Sequence, residues 1–162
     1  MKTLIGDLIE DCTTGIILHQ VNCQGVMGKG IALQIKQKYP EVFTKYKKYC
    51  DSNKEFSTKT MLGTVQPVKV SDKLIVMNLF AQDTYANNHG ETRRYTSYDA
   101  LDECFHKIKM HAIRNNLPLD SLQHPMLGCG LGGADWSAVA ALIDLHFEGK
   151  SNLWVLPKKE KT

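Results

Sequence analysis

Two periodicities alternate along the chain. Short apolar runs stand at residues 3–5, 15–21, 61–70, 73–80, 122–127 and 152–156 and predict strands. The run GIILHQV is the clearest of them. Between these runs the spacing changes to that of a helix. Ile31, Ile35 and Tyr39 lie at i, i+4 and i+8, which predicts a helix over 31–39. Pro40 interrupts it and opens a second helix over 41–51. Tyr98, Leu101, Phe105, Ile108 and Ala112 share one face of a helix over 97–114. Val139, Leu142, Ile143 and His146 line one side of another over 136–147. Residues 81–92 are polar and aperiodic, so they read as a loop. This order predicts an α/β fold: three layers, with helices on both sides of a mixed sheet of about six strands. The two adjacent runs at 61–80, joined by Ser71-Asp72, supply the antiparallel pair.

Composition narrows the class. At 162 residues the chain is one domain's length, so residues 1–157 read as a single domain and KKEKT at 158–162 as a flexible tail. Lys and Arg number 20 against 17 Asp and Glu, a net charge of +3 that creates no strong field toward nucleic acid or an anionic membrane. No apolar run is long enough to span a bilayer, and Asp7, Glu10 and Asp11 interrupt any leader-like stretch. The five cysteines contain no CxxC pair, which fits free thiols in a reducing cytoplasm. His106 and His111 are five apart rather than the four of a helical zinc pair. The expectation is therefore a cytoplasmic monomer with no metal, no cofactor and no membrane partner.

Two segments carry the candidate chemistry, and they share one form: apolar strand, glycine-rich loop, helix. The first is ILHQVNCQGVMGKGIALQ and the second HPMLGCGLGGADWSAV. Ligands of open α/β sheets bind at the carboxyl ends of strands, where such loops lead into helices. Glycines let backbone N–H groups approach a phosphate, and a helix N-terminus adds a favourable partial charge. Two facing loops suit a diphosphate. Gly128, Gly130 and Gly133 satisfy GxGxxG, but the strand that follows ends in Leu156-Pro157-Lys158 without the acid a dinucleotide fold needs. No Walker P-loop is present either, since Gly28-Lys29 is followed by glycine.

Several polar residues near these loops have two readings each. Asn22 closes a strand and either binds a sugar hydroxyl or stabilises its own turn. His19 lies within an apolar run and is either a core histidine or a catalyst. Asp135 precedes Trp136 at a helix start, as an N-cap, a catalytic carboxylate or both. Asp7 follows a strand end, where it is a turn residue or an acceptor for an adenine amino group. Arg93-Arg94 reads as a solvated patch bordering the irregular loop, and Trp136 as core.

VNCQGVMGKGIALQIKQKYP, with Gly6-Asp7-Leu8 before it and LGCGLGGADW after it, resembles the macrodomain family over essentially the whole chain. The subgroup it is most similar to holds the yeast-type ADP-ribose 1″-phosphate phosphatases, the terminal ADP-ribose glycohydrolases and their bacterial antitoxin relatives. That resemblance implies an ADP-ribose-binding module with a mixed sheet between helices. It places Asp7 and Leu8 at the adenine. Asn22, Gly25, Val26, Met27, Gly28, Gly30 and Ile31 fall in the segment around the distal ribose. Gly128, Cys129, Gly130, Leu131, Gly132 and Gly133 fall in the loop that wraps the diphosphate. It implies catalytic roles for His19, Asn22 and Asp135. Phe80–Tyr85 with His89-Gly90 also resembles the phosphatase-type members. The glycohydrolase members use a lysine shortly after the strand matching 74–80; residues 79–92 contain none, and Gly132 stands where their second-loop aspartate falls. The resemblance thus implies hydrolysis of ADP-ribose 1″-phosphate to ADP-ribose and phosphate. Removal of ADP-ribose from modified protein or nucleic acid, and non-catalytic ADP-ribose reading, are the alternatives.

Overall fold

The computed structural model describes residues 1–86 and 92–160. Six strands form one sheet: β1 (Lys2–Ile5), β2 (Gly15–Asn22), β3 (Val65–Lys69), β4 (Leu74–Gln82), β5 (Leu122–His124) and β6 (Asn152–Val155). Their order across the sheet is β1-β6-β5-β2-β4-β3. Every pairing is parallel except the antiparallel β3–β4 edge. The helices are α1 (Leu8–Asp11), α2 (Gly30–Lys38), α3 (Pro40–Asn53), α4 (Tyr98–Arg114) and α5 (Trp136–Phe147). The mixed six-stranded sheet, with its antiparallel pair at 61–80, is the one the sequence predicts.

Side-chain alternation along β2 explains the three layers. Ile17 and Val21 face one side and pack with Ile35, Val42 and Tyr46 of α2 and α3. Ile16 and Leu18 face the other and pack with Phe105 and Ile108 of α4 and Ile143 of α5. Both faces are covered, so β2 and β4 read as nearly continuous apolar runs. Each such side chain contributes about 1.5–3 kcal/mol on burial, which holds the central strands as a rigid base for their loops.

Four boundaries differ from the expectation. The run at 61–70 is not one strand: Thr58–Met61 is a 3-10 turn, Gly63 takes φ +88, and the ladder begins at Val65. The strand expected over 122–127 stops at His124, because Pro125 has no N–H to extend the ladder. Tyr39 is not helical (φ −127, ψ 70), since the residue before a proline is driven out of the α region. The one-turn helix α1 went unpredicted. It forms because Asp7 accepts from the amides of Ile9 and Glu10 at 2.9 and 3.0 Å. At the other end, residues 156–160 are exposed and those after β6 have no regular structure; Lys161 and Thr162 lie outside the described residues.

The topology makes a crevice. From β2 the chain passes through α2 and α3 on one face of the sheet, then through β3 to β4. From β5 it passes through α5 on the opposite face to β6. Adjacent strands β2 and β5 therefore send their connections to opposite sides, and a cleft opens beyond their carboxyl ends.

Candidate active site

Both glycine loops flank that crevice. The first follows β2, whose register against β4 slips between Val21 and Asn22. Asn22 then holds the loop in shape. Its Oδ1 accepts from the amide of Gln24 at 2.9 Å and from the Tyr46 hydroxyl at 2.7 Å, and its Nδ2 donates to the carbonyl of Val26 at 2.8 Å. The Tyr46 hydroxyl in turn accepts from the amide of Val26 at 3.1 Å. Burial pushes the Tyr46 ionisation well above its ordinary value, so the hydroxyl keeps its proton. The side chain of Asn22 is thus committed to its own turn.

The second loop is pinned to the segment before α4. The amides of Tyr95 and Thr96 donate to the carbonyl of Gly132 at 2.9 and 3.0 Å, and Thr96 Oγ1 donates to the carbonyl of Gly128 at 3.0 Å. A Cβ on Gly132 would lie 2.4 Å from Thr96 Oγ1 and 2.6 Å from the Gly128 oxygen, so only glycine fits there. Gly130 is different: a Cβ there would meet nothing within 4 Å, and its φ is not in the left-handed region. No internal contact requires glycine at that position, and the open space beside it belongs to the larger cavity of the cleft.

The helices behind the loops also differ. Asp135 caps α5: its Oδ1 accepts from the amide of Ser137 at 3.1 Å and its Oδ2 from the Ser137 hydroxyl at 2.9 Å. α2 has no side-chain cap and no acidic residue in its first turn. Its opening residues Gly30 and Ile31 instead line a cavity, so the N-terminal amides of α2 are offered toward the cleft.

Two cavities make up the cleft. The smaller, about 170 Å³, is lined by Asn22, Val26 and Gly28 of the first loop, by Leu131 of the second, and by Gln20 and Tyr85. The larger, about 580 Å³, runs from Gly30 and Ile31 past Gly128, Gly130, Leu131 and Gly132. It continues to Met126, Trp154 and Leu156 at its apolar end, with His19 among its lining residues. Of the residues expected at the site, Leu8 and Met27 are turned into the core, 5% and 1% exposed. Asp7, Gly25, Cys129, Gly133 and Asp135 line neither cavity. Gly25 (φ +78) and Gly133 (φ +70) shape the loops from behind. The Cys129 thiol donates to the carbonyl of Leu127. His89 and Gly90 lie outside the described residues.

His19 is 2% exposed. Burial outweighs its bond to Asn78 and brings its ionisation down to about 4, so it is neutral at pH 7. His124, at the end of β5, is likewise brought down to about 4, and it bridges the carbonyl of Pro125 and the hydroxyl of Ser151.

Gln20 and Gln82 were not singled out from the sequence, yet both line both cavities. Gln20 Nε2 donates to Gln82 Oε1 at 2.7 Å and to Thr96 Oγ1 at 2.8 Å, joining β2, β4 and the second loop's anchor. The available signal was a second polar residue, next to His19, inside an otherwise apolar strand. Arg93 and Arg94 are not merely solvated: they lie over the rings of Tyr95 and Tyr98 at 4.9 and 4.3 Å. Among the described residues no cluster of three or more His, Cys, Asp or Glu could hold a metal ion, and no helix is long and apolar enough to cross a membrane.

Comparison with known proteins places this architecture. Residues 18–143 match the family described as Macro domain. The DNA ADP-ribosyl glycohydrolase of Mycobacterium tuberculosis is 33% identical over 143 residues, 88% of this chain and 37% of that protein. An ADP-ribose 1″-phosphate phosphatase of Aspergillus clavatus is 41% identical over 63 residues, 39% of this chain and 30% of that protein. The chain thus matches about a third of the length of these relatives. The solved macrodomain of Mycobacterium tuberculosis DarG superposes with a TM-score of 0.74 at 28% identity, covering 98% of this chain and 97% of that one.

Proposed function

We propose, for a chain that belongs to the Macro domain family, that the cleft binds ADP-ribose and hydrolyses the phosphate monoester of ADP-ribose 1″-phosphate. The observation that carries the binding is Gly130, a glycine that no protein contact requires, facing the uncapped start of α2 across one cavity. Backbone amides at both walls suit a diphosphate between them. The apolar end at Met126, Trp154 and Leu156 suits a base. The distal ribose then falls in the smaller cavity beside Gln20, Gln82 and Tyr85.

Hydrolysis consumes one water. Its oxygen bonds to phosphorus, the bond from phosphorus to the anomeric oxygen breaks, and the products are ADP-ribose and inorganic phosphate. Fixed amides stabilise the charge that develops on the phosphoryl oxygens, each donor contributing about 3–4 kcal/mol at most. The choice of a phosphate ester over a glycosidic bond rests on the end of β4 and the segment that follows it. This stretch carries Gln82-Asp83-Thr84-Tyr85, and no lysine occurs through residue 92. The likeness to the phosphatase from Aspergillus supports the same choice.

A second reading has its own support. The likeness to the DNA ADP-ribosyl glycohydrolase is longer, 143 residues against 63, and favours release of ADP-ribose from modified DNA. One preparation separates the two. Calorimetric titration with ADP-ribose comes first, followed by assay of phosphate release from ADP-ribose 1″-phosphate and of ADP-ribose release from an ADP-ribosylated oligonucleotide. Binding with phosphate release is expected. Binding with release from the oligonucleotide alone would install the second reading, and no binding would sink both.

A further inference from the structure

His19, Asn78 and Gln66 stand side by side on three neighbouring strands. His19 of β2 is in register with Asn78 of β4, and Asn78 with Gln66 of β3. Their side chains form one line of hydrogen bonds. His19 Nε2 meets Asn78 Oδ1 at 2.5 Å, Asn78 Nδ2 donates to Gln66 Oε1 at 2.9 Å, and Gln66 Nε2 donates to the carbonyl of Lys45 on α3 at 3.2 Å. Asn78 is fully buried and His19 is 2% exposed, while the Gln66 end is half-buried.

The direction of this line is set at its outer end. A backbone carbonyl only accepts, so Gln66 must present its Nε2 to Lys45. Its Oε1 then faces Asn78, which must answer with Nδ2. That leaves Asn78 Oδ1 facing the imidazole, and an oxygen acceptor there requires a proton on His19 Nε2. With Nε2 protonated and the ring neutral, Nδ1 carries a lone pair. Nδ1 is buried without a partner among the described residues, and His19 is one of the residues lining the larger cavity. A buried acceptor left unmatched is destabilising, which favours a donor arriving with the ligand.

We infer that Asn78 and Gln66 are positioning residues: they fix His19 in the Nε2–H tautomer, so that it meets the bound ligand as a hydrogen-bond acceptor through Nδ1. The donor it suits is a hydroxyl of the ligand or a water held against it. The acceptor role rests on the ADP-ribose reading above; the tautomer does not. His19 stays unprotonated at neutral pH because of its burial, so the lone pair is available where the protein works. His124 is fixed the opposite way. Its Nδ1 faces the carbonyl of Pro125, which requires Nδ1–H and leaves Nε2 to accept from Ser151. The two histidines therefore serve as internal references for each other.

The test is long-range proton–nitrogen NMR of the nitrogen-15-labelled 162-residue chain, with and without ADP-ribose. His19 is expected as Nε2–H and His124 as Nδ1–H, and saturating ADP-ribose is expected to move the His19 Nδ1 resonance. Gln66→Leu removes the acceptor that orients Asn78. It is expected to mix the His19 tautomers and lower phosphate release at least tenfold while the fold is retained. Gln66→Glu still accepts from Asn78 and is expected to restore both. A His19 Nδ1–H tautomer in the free protein would overturn the inference, as would a Gln66→Leu variant with unchanged tautomer and turnover. A His19 Nδ1 resonance unmoved in an ADP-ribose complex would overturn the acceptor role. Failure of ADP-ribose to bind at all would remove that role together with the function reading, while the free-protein spectrum would still decide the tautomer.

Discussion

Thr96 Oγ1 donates to the carbonyl of Gly128 at 3.0 Å and accepts from Gln20 Nε2 at 2.8 Å. One hydroxyl thus joins the second glycine loop to the central strand. Thr96 is 2% exposed, so nothing replaces the hydroxyl if it is removed. Thr96→Val keeps the shape and leaves the Gly128 oxygen without this donor. The expected cost is about 1–3 kcal/mol in chemical denaturation. ADP-ribose affinity should fall as well, because the loop loses its anchor.

Gly130 and Gly132 should respond in opposite ways. Gly130→Ala places its methyl in open space and should leave the denaturation midpoint unchanged. On the proposed reading the methyl enters the space the diphosphate would take, so it should weaken ADP-ribose binding at least tenfold in calorimetry. Gly132→Ala collides with Thr96 and the Gly128 carbonyl, and should destabilise the fold by about 1–3 kcal/mol. A Gly130→Ala protein that binds normally would argue against a ligand at that loop.

Acid should weaken the fold through two histidines. His19 and His124 ionise near 4 in the folded protein and near 6.5 when unfolded. Below about pH 6.5 the unfolded chain binds protons that the folded one refuses. The stability their neutrality contributes is therefore complete above that pH and is lost as pH falls toward 4. Each histidine contributes a slope of up to about 1.4 kcal/mol per pH unit. Urea midpoints measured between pH 7 and 4.5 should show it. His19→Gln should remove about half of the histidine part of that slope.

Asp135 tests whether capping and chemistry coincide. Its carboxylate holds Ser137 with both oxygens and lines neither cavity. Asp135→Ala should cost about 1 kcal/mol from the lost cap, while phosphate release falls only modestly. Asp135→Ser keeps a cap and should recover the stability. A large loss of turnover in a fully stable Asp135→Ser protein would instead put this carboxylate in the reaction.

Much of the fold is legible in the chain because its signals are local. α4 and α5 advertise themselves by one apolar face, and β2 by a run that only a doubly covered strand can bury. The glycine loops are legible for the same reason, since a strand, a loop and a helix lie consecutively. What stayed hidden depends on partners far along the chain. Nothing near His19 announces Asn78, 59 residues away, or shows that Gln66 lies beyond it. Asn22 looked as much like a ligand contact as a turn residue until Tyr46 closed on it from α3. Trp154 reads as an ordinary strand residue, and only the pairing of β6 between β1 and β5 brings it to the cavity.

β5 has a mechanical consequence. It is three residues long, pairs with β2 through Leu122 and Gln123, and pairs with β6 through Gln123 and His124. This short strip is the seam between the β1–β6 half of the sheet and the β2–β4–β3 half, and the cleft opens directly above it. Side chains weld it: His124 to Ser151, and Asn152 to the carbonyls of Asp120 and Leu122. Loosening those welds would let the two halves flex like covers about a spine. Ser151 and Asn152 lie outside both glycine loops, yet they would set how far Trp154 of β6 stands from Gln20 of β2 across the larger cavity.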